Sequence, residues 1–350
     1  MLNNIMTDAE QNLLSGRIQS ANRIVICCHT SPDGDAIGSS LGLADYLRAC
    51  GKTASIIIPN AYPDFLQWLP GTEAILRFDK YEIAKNVIAD ADLIFCLDFN
   101  ELSRVDAMAE VLGNAKGDKI MIDHHLNPSF DCLLLVSHPE MSSTCEIVFR
   151  VIWQLGGYEK MNKKSATSIY CGMMTDTGGF IYNSNSGDVY FIISQLLNKG
   201  INKDKIYRKV YYNYSEYRLR LLGHIMLDKL VNVPEMHATF FTLTKGEMRR
   251  FHFIKGDAEG LVNMPLQIKG TKLSISLRED TEQENLIRVS LRSVDDFPCN
   301  QMSELFFNGG GHLNASGGEL HCSMDEAINV VKQALVHFEQ KLREKPVNIL

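Results

Sequence analysis

Long apolar runs are missing from this chain. No stretch of about 18 consecutive apolar residues occurs, so no membrane-spanning helix is expected. The opening segment, MLNNIMTDAEQNLL, lacks a basic region followed by an apolar one, so no secretory signal is read and the cytoplasm is the expected compartment. Positive charge is not in excess either: Lys plus Arg number 35 against 42 Asp plus Glu, a formal charge of −7. Long duplex nucleic acid needs a broad basic surface, so that balance argues against it as the main ligand, while a short nucleotide in a small site stays open. The nine cysteines are odd in number, scattered and without a CxxC pair. Cys27, Cys28, Cys96 and Cys171 lie in apolar runs and read as reduced, buried core thiols. No internal repeat or low-complexity tract is present.

What is present is ordinary globular composition, 45% apolar and 22% charged, over 350 residues, a length that suits about two domains. In the first half, Arg23 to Cys28, Thr53 to Ile58, Asp92 to Leu97, Lys119 to Ile122 and Cys132 to Val136 read as strands covered on both faces. Helical patterns lie between them at Ala36 to Ala49, Tyr81 to Ala89 and Val105 to Leu112. Two more follow at Ser143 to Leu155, where Ser143 and Glu146 have capping-box spacing, and at Lys164 to Met174. This alternation predicts an α/β fold with a parallel sheet and helices on both faces. Ser186 to Val231 reads as almost all helical and carries a tyrosine-rich stretch, Tyr207 to Tyr217. Beyond it, His237 to Leu243, Thr271 to Glu279 and Asn285 to Ser293 alternate apolar with polar, as strands with one wet face do. A glycine-rich loop, NGGGHLNASGG (Asn308 to Gly318), precedes a last helix from Asp325 to Arg343. The expected organisation is a first domain at 1–190, a helical connector at 191–231 and a smaller α/β domain at 232–345.

The chemistry sits at the strand ends, outside which open parallel sheets bind their ligands. The first strand leads into His29, Asp33 and Asp35, another into Asp98, and a third into Asp123-His124-His125. Asp176 follows the helix at Lys164 to Met174. His29, Asp33, Asp35, Asp98, His124 and Asp176 supply two imidazoles and four carboxylates, with no lysine or arginine in their motifs. Four converging carboxylates repel one another, and two divalent cations would cancel their charge. Mixed nitrogen and oxygen donors suit Mn²⁺ or Mg²⁺ better than a thiolate-preferring metal. A metal pair a few Å apart is a common device for hydrolysing phosphate esters. Asp35 is expected to cap a helix starting at Ala36. Each feature alone is ordinary, since Asp-Gly-Asp is common in turns; the signal is their combination at successive strand ends.

HTSPDGDAIGSS, Asp98, Asp123-His124-His125 and TDTGGF resemble the four motifs of the DHH phosphoesterase family. NGGGHLNASGG resembles the glycine-rich motif of the DHH-associated C-terminal domain, so the resemblance runs from about Ser20 to Val336. It is to the stand-alone branch that includes the nanoRNase/pAp phosphatases, and it implies an active site in the cleft between the two domains. His29 and Asp33 would then bind one metal, Asp35, His124 and Asp176 the other, and Asp98 both. Asp123 would orient a ligand or a water, and His125 would face the scissile phosphate. Arg292 and Gly309-Gly310-Gly311-His312 would hold the nucleotide. The implied cofactor is a pair of Mn²⁺ ions, with Mg²⁺ or Co²⁺ open. The implied reaction is hydrolysis of very short oligoribonucleotides to 5′-mononucleotides, with 3′-phosphatase activity on 3′-phosphoadenosine 5′-phosphate (pAp). Linear or cyclic dinucleotides and short-chain polyphosphate stay open as alternatives. A non-catalytic nucleotide sensor ranks last, because all six ligand candidates are present. Family II inorganic pyrophosphatases use a Ser-Arg-Lys-Lys cluster where this chain has Ser290-Leu291-Arg292-Ser293. Leu313-Asn314-Ala315-Ser316 departs from the more apolar, proline-containing stretch of many nanoRNases. The expected partner is a short RNA or nucleotide, with no long duplex and no membrane; a homodimer through Tyr207 to Tyr217 is open.

Overall fold

The computed structural model describes residues 2–254 and 256–344, so position 345, the expected end of the second domain, lies outside the described residues. The chain forms two compact units, Met1–Asn213 and Tyr214–Leu350. The first contains strands β1 (Ile24–Cys28), β2 (Ala54–Ile58), β3 (Leu76–Arg77), β4 (Leu93–Leu97), β5 (Asp118–Asp123) and β6 (Leu134–Ser137). Its helices are α1 (Asp8–Ser20), α2 (Gly34–Ala49), α3 (Ile83–Ala89), α4 (Ala109–Asn114), α5 (Thr144–Gln154), α6 (Lys163–Asp176), α7 (Gly187–Asn198) and α8 (Lys203–Tyr211). The sheet has the order β3-β2-β1-β4-β5-β6 and is parallel throughout. Side chains alternate across it, as strand geometry requires. Ile24, Ile26, Phe95 and Ile122 join α2, α5 and α6 in one core, while Val25, Cys27, Ile94 and Met121 join α3 and α4 in the other. Both faces are therefore covered, which is why the strands read as continuous apolar runs.

The second unit contains α9 (Glu216–His224), β7 (Val231–Val233), β8 (Ala238–Leu243), α10 (Lys245–Arg250), β9 (Leu273–Glu279) and β10 (Leu286–Ser293). After these come α11 (Cys299–Phe306), β11 (Gly310–His312), β12 (Ala315–His321), α12 (Met324–His337) and α13 (Glu339–Arg343). Its mixed sheet runs β11-β12-β10-β9-β8-β7, antiparallel except for β8 with β9. The helical stretch at 191–231 is shared between the units: Ile192, Leu196, Ile206 and Val210 pack into the first core, and Leu221 and Ile225 pack with Phe241 and Leu243 in the second unit. Among the described residues no helix is long and apolar enough to cross a membrane.

Several local expectations change. The helix expected at 105–112 is a 3-10 segment, Leu102–Met108, broken at Asp106 (φ 49°), followed by α4. Val105, Met108 and Leu112 are all buried, and either kind of helix satisfies that spacing. The glycine-rich loop is the β11–β12 hairpin, and the last helix divides at Phe338. Helix α1 escapes a periodicity reading because Leu14 and Ile18 are its only buried side chains, and β3 is too short to carry a period.

Helices α2 and α6 meet backbone to backbone. A Cβ on Gly38 would lie 2.6 Å from the Ser168 carbonyl oxygen and 3.0 Å from Gly172 Cα. Gly38→Ala is expected to force them apart and destabilise the protein by about 1–3 kcal/mol. Gly16 lies on the exposed side of α1 with nothing within 4 Å of a Cβ, so Gly16→Ala is expected to stabilise it by about 0.5–1 kcal/mol. Urea midpoints of the two variants check both signs.

In the second unit, Glu247 accepts from Thr244 N and Oγ1, each at 2.9 Å, from Lys229 Nζ at 2.9 Å and from His224 Nε2 at 3.1 Å. Burial opposes its ionisation, but Lys229, the Thr244 N–H and His224 outweigh it and hold the carboxyl at about 2. A depressed carboxyl pKa gives stability that is complete above the ordinary value of 4.5 and is lost as pH falls towards 2. Glu247→Gln is expected to remove on the order of 1 kcal/mol of that pH-dependent stability, allowing for solvent screening. Urea unfolding of both proteins at pH 6 and pH 3 measures it.

Candidate metal centre

The order of the parallel sheet reverses between β1 and β4, and the carboxyl ends of strands at such a switch point form the ligand crevice. His29 follows β1, Asp98 follows β4, and Asp123 ends β5 with His124 and His125 beyond it. Asp33 and Asp35 sit at the start of α2. Asp176 is the last residue of α6 rather than a loop residue after it. Donor atoms of His29, Asp33 and Asp98 lie within 4.8 Å of one another, as do those of Asp35, His124 and Asp176, and those of Asp98, Asp123 and His125. All eight residues expected at this end of the sheet therefore converge.

Each histidine is turned by its backbone partner. His29 Nδ1 lies 2.8 Å from the Thr30 carbonyl oxygen, and His124 Nδ1 lies 3.3 Å from that of Met141. A carbonyl only accepts, so the proton is assigned to Nδ1 and the Nε2 lone pair looks into the cluster. His29 Nε2 is 3.4 Å from Asp98 Oδ2 and 3.8 Å from Asp33 Oδ1. His124 Nε2 is 3.7 Å from Asp98 Oδ1, 3.9 Å from Asp35 Oδ2 and 3.6 Å from Asp176 Oδ2. In this tautomer acceptors face acceptors, at separations of 3.4–3.9 Å that suit donors grouped around a cation. Asp98 turns one oxygen to each histidine.

The carboxylates are held with equal care. Asp98 has φ 64°, a left-handed conformation that costs a non-glycine residue about 1–3 kcal/mol and clusters at functional sites. Its Oδ1 accepts from Thr144 Oγ1 at 2.9 Å. Asp33, not Asp35, caps α2, its Oδ1 accepting from Asp35 N at 2.9 Å and Ala36 N at 3.1 Å. The helix therefore starts at Gly34, two residues earlier than a cap at Asp35 would allow. Asp35 is thereby free to accept from the N-terminus of α5, through Thr144 N at 2.7 Å and Cys145 N at 2.9 Å, where the helix dipole favours an anion. Asp123 is fully buried; its Oδ1 lies 2.8 Å from His125 Nδ1, and its Oδ2 has no hydrogen-bond partner.

The electrostatics reflect crowded negative charge. Burial, then Asp98 and Asp176, pushes the Asp35 carboxyl well above the usual range. Burial disfavours charge on His29 and His124, yet Asp33 and Asp98 raise the first, and Asp98, Asp35 and Asp123 raise the second. Burial also opposes ionisation of Asp98, but His29, His125 and His124 outweigh it and hold its pKa low. A site that draws protons onto its histidines draws cations for the same reason. The imidazole and carboxylate donors and their spacing fit a pair of divalent cations.

The residues expected to hold the nucleotide lie in the second unit. Arg292 on β10 and His312 on β11 are both paired with Ala315 of β12, so they share one face of that sheet. Arg292 Nη1 donates to the Leu291 carbonyl at 2.8 Å. Gly311 has φ 138°, and a Cβ there would lie 2.7 Å from the Ala315 carbonyl oxygen. This glycine is thus needed by the hairpin itself.

Reading the motifs overlooks the supporting groups: Thr144 and Cys145, the carbonyls of Thr30 and Met141, and Arg104, whose Nη2 lies 3.5 Å from His125 Nε2. The capping spacing at Ser143 and Glu146 was the one hint, since it marks where the amides that hold Asp35 begin. Thr144→Val removes the hydroxyl donor to Asp98 but keeps the amide and the shape. It is expected to weaken divalent-metal affinity about 10- to 100-fold, as read by titration with a chelating indicator.

Residues 23–173 match the DHH family, N-terminal domain. The chain is 29% identical over 314 residues to the bifunctional oligoribonuclease and PAP phosphatase NrnA of Thermus thermophilus, covering 89% of each. It is 26% identical over 334 residues to the cyclic-di-AMP phosphodiesterase GdpP of Bacillus subtilis, covering 91% of this chain but 48% of that one. An exopolyphosphatase-related protein from Bacteroides fragilis has a crystal structure that matches with a TM-score of 0.94 at 51% identity, covering 98% of this chain and 100% of that one. The matched stretch at 23–173 contains seven of the eight residues that converge at this end of the sheet, all but Asp176, and the chain accordingly belongs to the DHH family of phosphoesterases and is a hydrolase.

Proposed function

We propose that this hydrolase is a cytoplasmic, two-metal enzyme that cleaves very short oligoribonucleotides to 5′-mononucleotides and removes the 3′-phosphate of pAp. The observation that carries the reading is Asp98, whose two carboxylate oxygens each face the Nε2 of a different histidine. Support for the substrate class comes from the similarity to NrnA, which extends over 89% of both chains. His29 and Asp33 would hold one Mn²⁺, Asp35, His124 and Asp176 the other, and Asp98 both. These residues would thereby hold a pair of divalent cations, whose chemistry would be to activate a water and to offset negative charge on the phosphate.

The chain's own residues do the rest. Asp123 fixes the His125 ring through Nδ1, leaving Nε2 to face the phosphate. Thr144 and the α5 amides hold Asp98 and Asp35 in place before substrate arrives. Arg292, His312 and the 309–311 glycines would hold the nucleotide. The net charge of −7 supplies no track for a long polyanion. A second reading, polyphosphate as substrate, is favoured by the 51% identity to an exopolyphosphatase-related protein, and so it belongs in the test.

The test assays pAp, pApA, cyclic di-AMP, polyphosphate and a ladder of single-stranded RNAs, after chelation and add-back of Mn²⁺, Mg²⁺ or Co²⁺. Mn²⁺ is expected to restore turnover best, and kcat/KM to fall steeply beyond a few nucleotides. Asp98→Asn is expected to lose several orders of magnitude in kcat, because it weakens both metal positions at once. Near-normal activity in folded Asp98→Asn would refute the bridging role. Efficiency that rises with RNA length would refute the short-substrate reading.

A further inference from the structure

Arg104 brings a guanidinium to His125, at the edge of the histidine and aspartate cluster. It lies in the 3-10 segment after Asp98. Its carbonyl accepts from Thr30 N at 2.7 Å, and its N–H donates to the Glu101 carbonyl at 3.2 Å. Val105, next in sequence, is fully buried. The backbone is thus tied to the loop that carries His29, and the guanidinium reaches His125 from a fixed base.

Among the described residues, Arg104 Nε is the one arginine nitrogen buried without a hydrogen-bond partner. The Nε and Nη2 nitrogens form the side-on edge of an arginine. Arg77 grips Asp79 by this edge, at 3.0 and 2.6 Å, and Arg150 grips Glu146 by it, at 2.9 and 2.8 Å. On Arg104 the same edge has no carboxylate. Nε is buried without a hydrogen-bond partner, and Nη2 has a 3.5 Å contact to His125 Nε2, which is long for a hydrogen bond. A buried charged donor left without an acceptor is costly. The fold keeps one beside the catalytic cluster.

We propose that Arg104 is a substrate-binding residue: its Nε/Nη2 edge receives two oxygens of the substrate phosphate beside His125. The planar fork matches a tetrahedral oxyanion as well as a carboxylate. The first unit therefore carries a phosphate anchor of its own, separate from Arg292, and that anchor serves any phosphoester or phosphoanhydride substrate. The proposal deepens the phosphoesterase reading and rests on it for the location of the phosphate.

The test uses the full chain with Mn²⁺ as wild type, Arg104→Gln and Arg104→Lys. Inorganic phosphate is the binding probe, followed by calorimetry and as a competitive inhibitor; kcat and KM are measured on pAp, and Mn²⁺ affinity and Tm serve as controls. Arg104→Gln is expected to weaken phosphate binding and raise the KM for pAp about ten- to hundredfold, with Mn²⁺ affinity and Tm retained. Arg104→Lys keeps the charge but not the fork, so it should recover only part of the loss. Wild-type protein that does not bind phosphate at millimolar concentration overturns the proposal. So does Arg104→Gln with unchanged phosphate affinity and KM but lowered kcat, which would make Arg104 a positioning residue for His125. If the Gln variant does not fold, wild-type phosphate affinity in folded Arg104→Lys overturns the bidentate assignment. Arg104-dependent phosphate binding without turnover of any substrate in the panel would sink the substrate reading while leaving this anchor standing.

Discussion

Mutual repulsion among buried carboxylates is the constraint around which the first unit is organised. Asp35, Asp98 and Asp123 are almost completely shielded from water, and the side chain of Asp176 is 29% exposed. Water cannot dissipate their charge, so the protein must supply something positive. Two neutral groups do part of this: α5 presents its N-terminal amides to Asp35, and a hydroxyl donates to Asp98. Neither cancels a full charge. The remaining deficit is what raises the histidine pKa values, and it is what a pair of divalent cations would fill.

The packing of α2 on α6 follows from the same constraint. Asp33 and Asp35 open α2, and Asp176 closes α6. The distance between these helices therefore sets the distance between carboxylates that must share a site. Gly38 lets the two backbones touch through Ser168 and Gly172, and it stands only three residues from Asp35. A larger residue there would widen the gap between ligand groups as well as loosen a core. Stability and site geometry are read out by the same interface, which explains why small residues crowd the start of α2.

Much of this was legible in the sequence, for a definable reason. The sheet is covered on both faces, so its strands are apolar runs, and ligands in such sheets gather at the carboxyl ends. Histidine and aspartate directly after Cys28, Leu97 and Ile122 could then be assigned to one edge without knowing the strand order. What escaped depends on backbone atoms or on irregular chain. Asp33 takes the capping role expected of Asp35, and two amides of α5, more than a hundred residues away, hold Asp35 instead. Periodicity carries no information about such a partner. Arg104 was hidden because its segment follows no regular period, Asp106 breaking it with a positive φ. The carboxylate motifs themselves hold no lysine or arginine; the guanidinium beside His125 comes from the irregular segment after Asp98.

The glycine-rich segment shows how a motif can serve two ends. Gly311 is required by close strand approach and by its φ, so the hairpin alone accounts for it. Gly310 is different: a Cβ there would meet nothing within 4 Å, and its φ needs no glycine. Folding therefore leaves that position unexplained. Close approach of a ligand to the Gly310 backbone would explain it, and Arg292 and His312 lie on neighbouring strands to either side of Ala315, sharing one sheet face. Gly310 is thus the position of this segment whose absent side chain the hairpin does not demand.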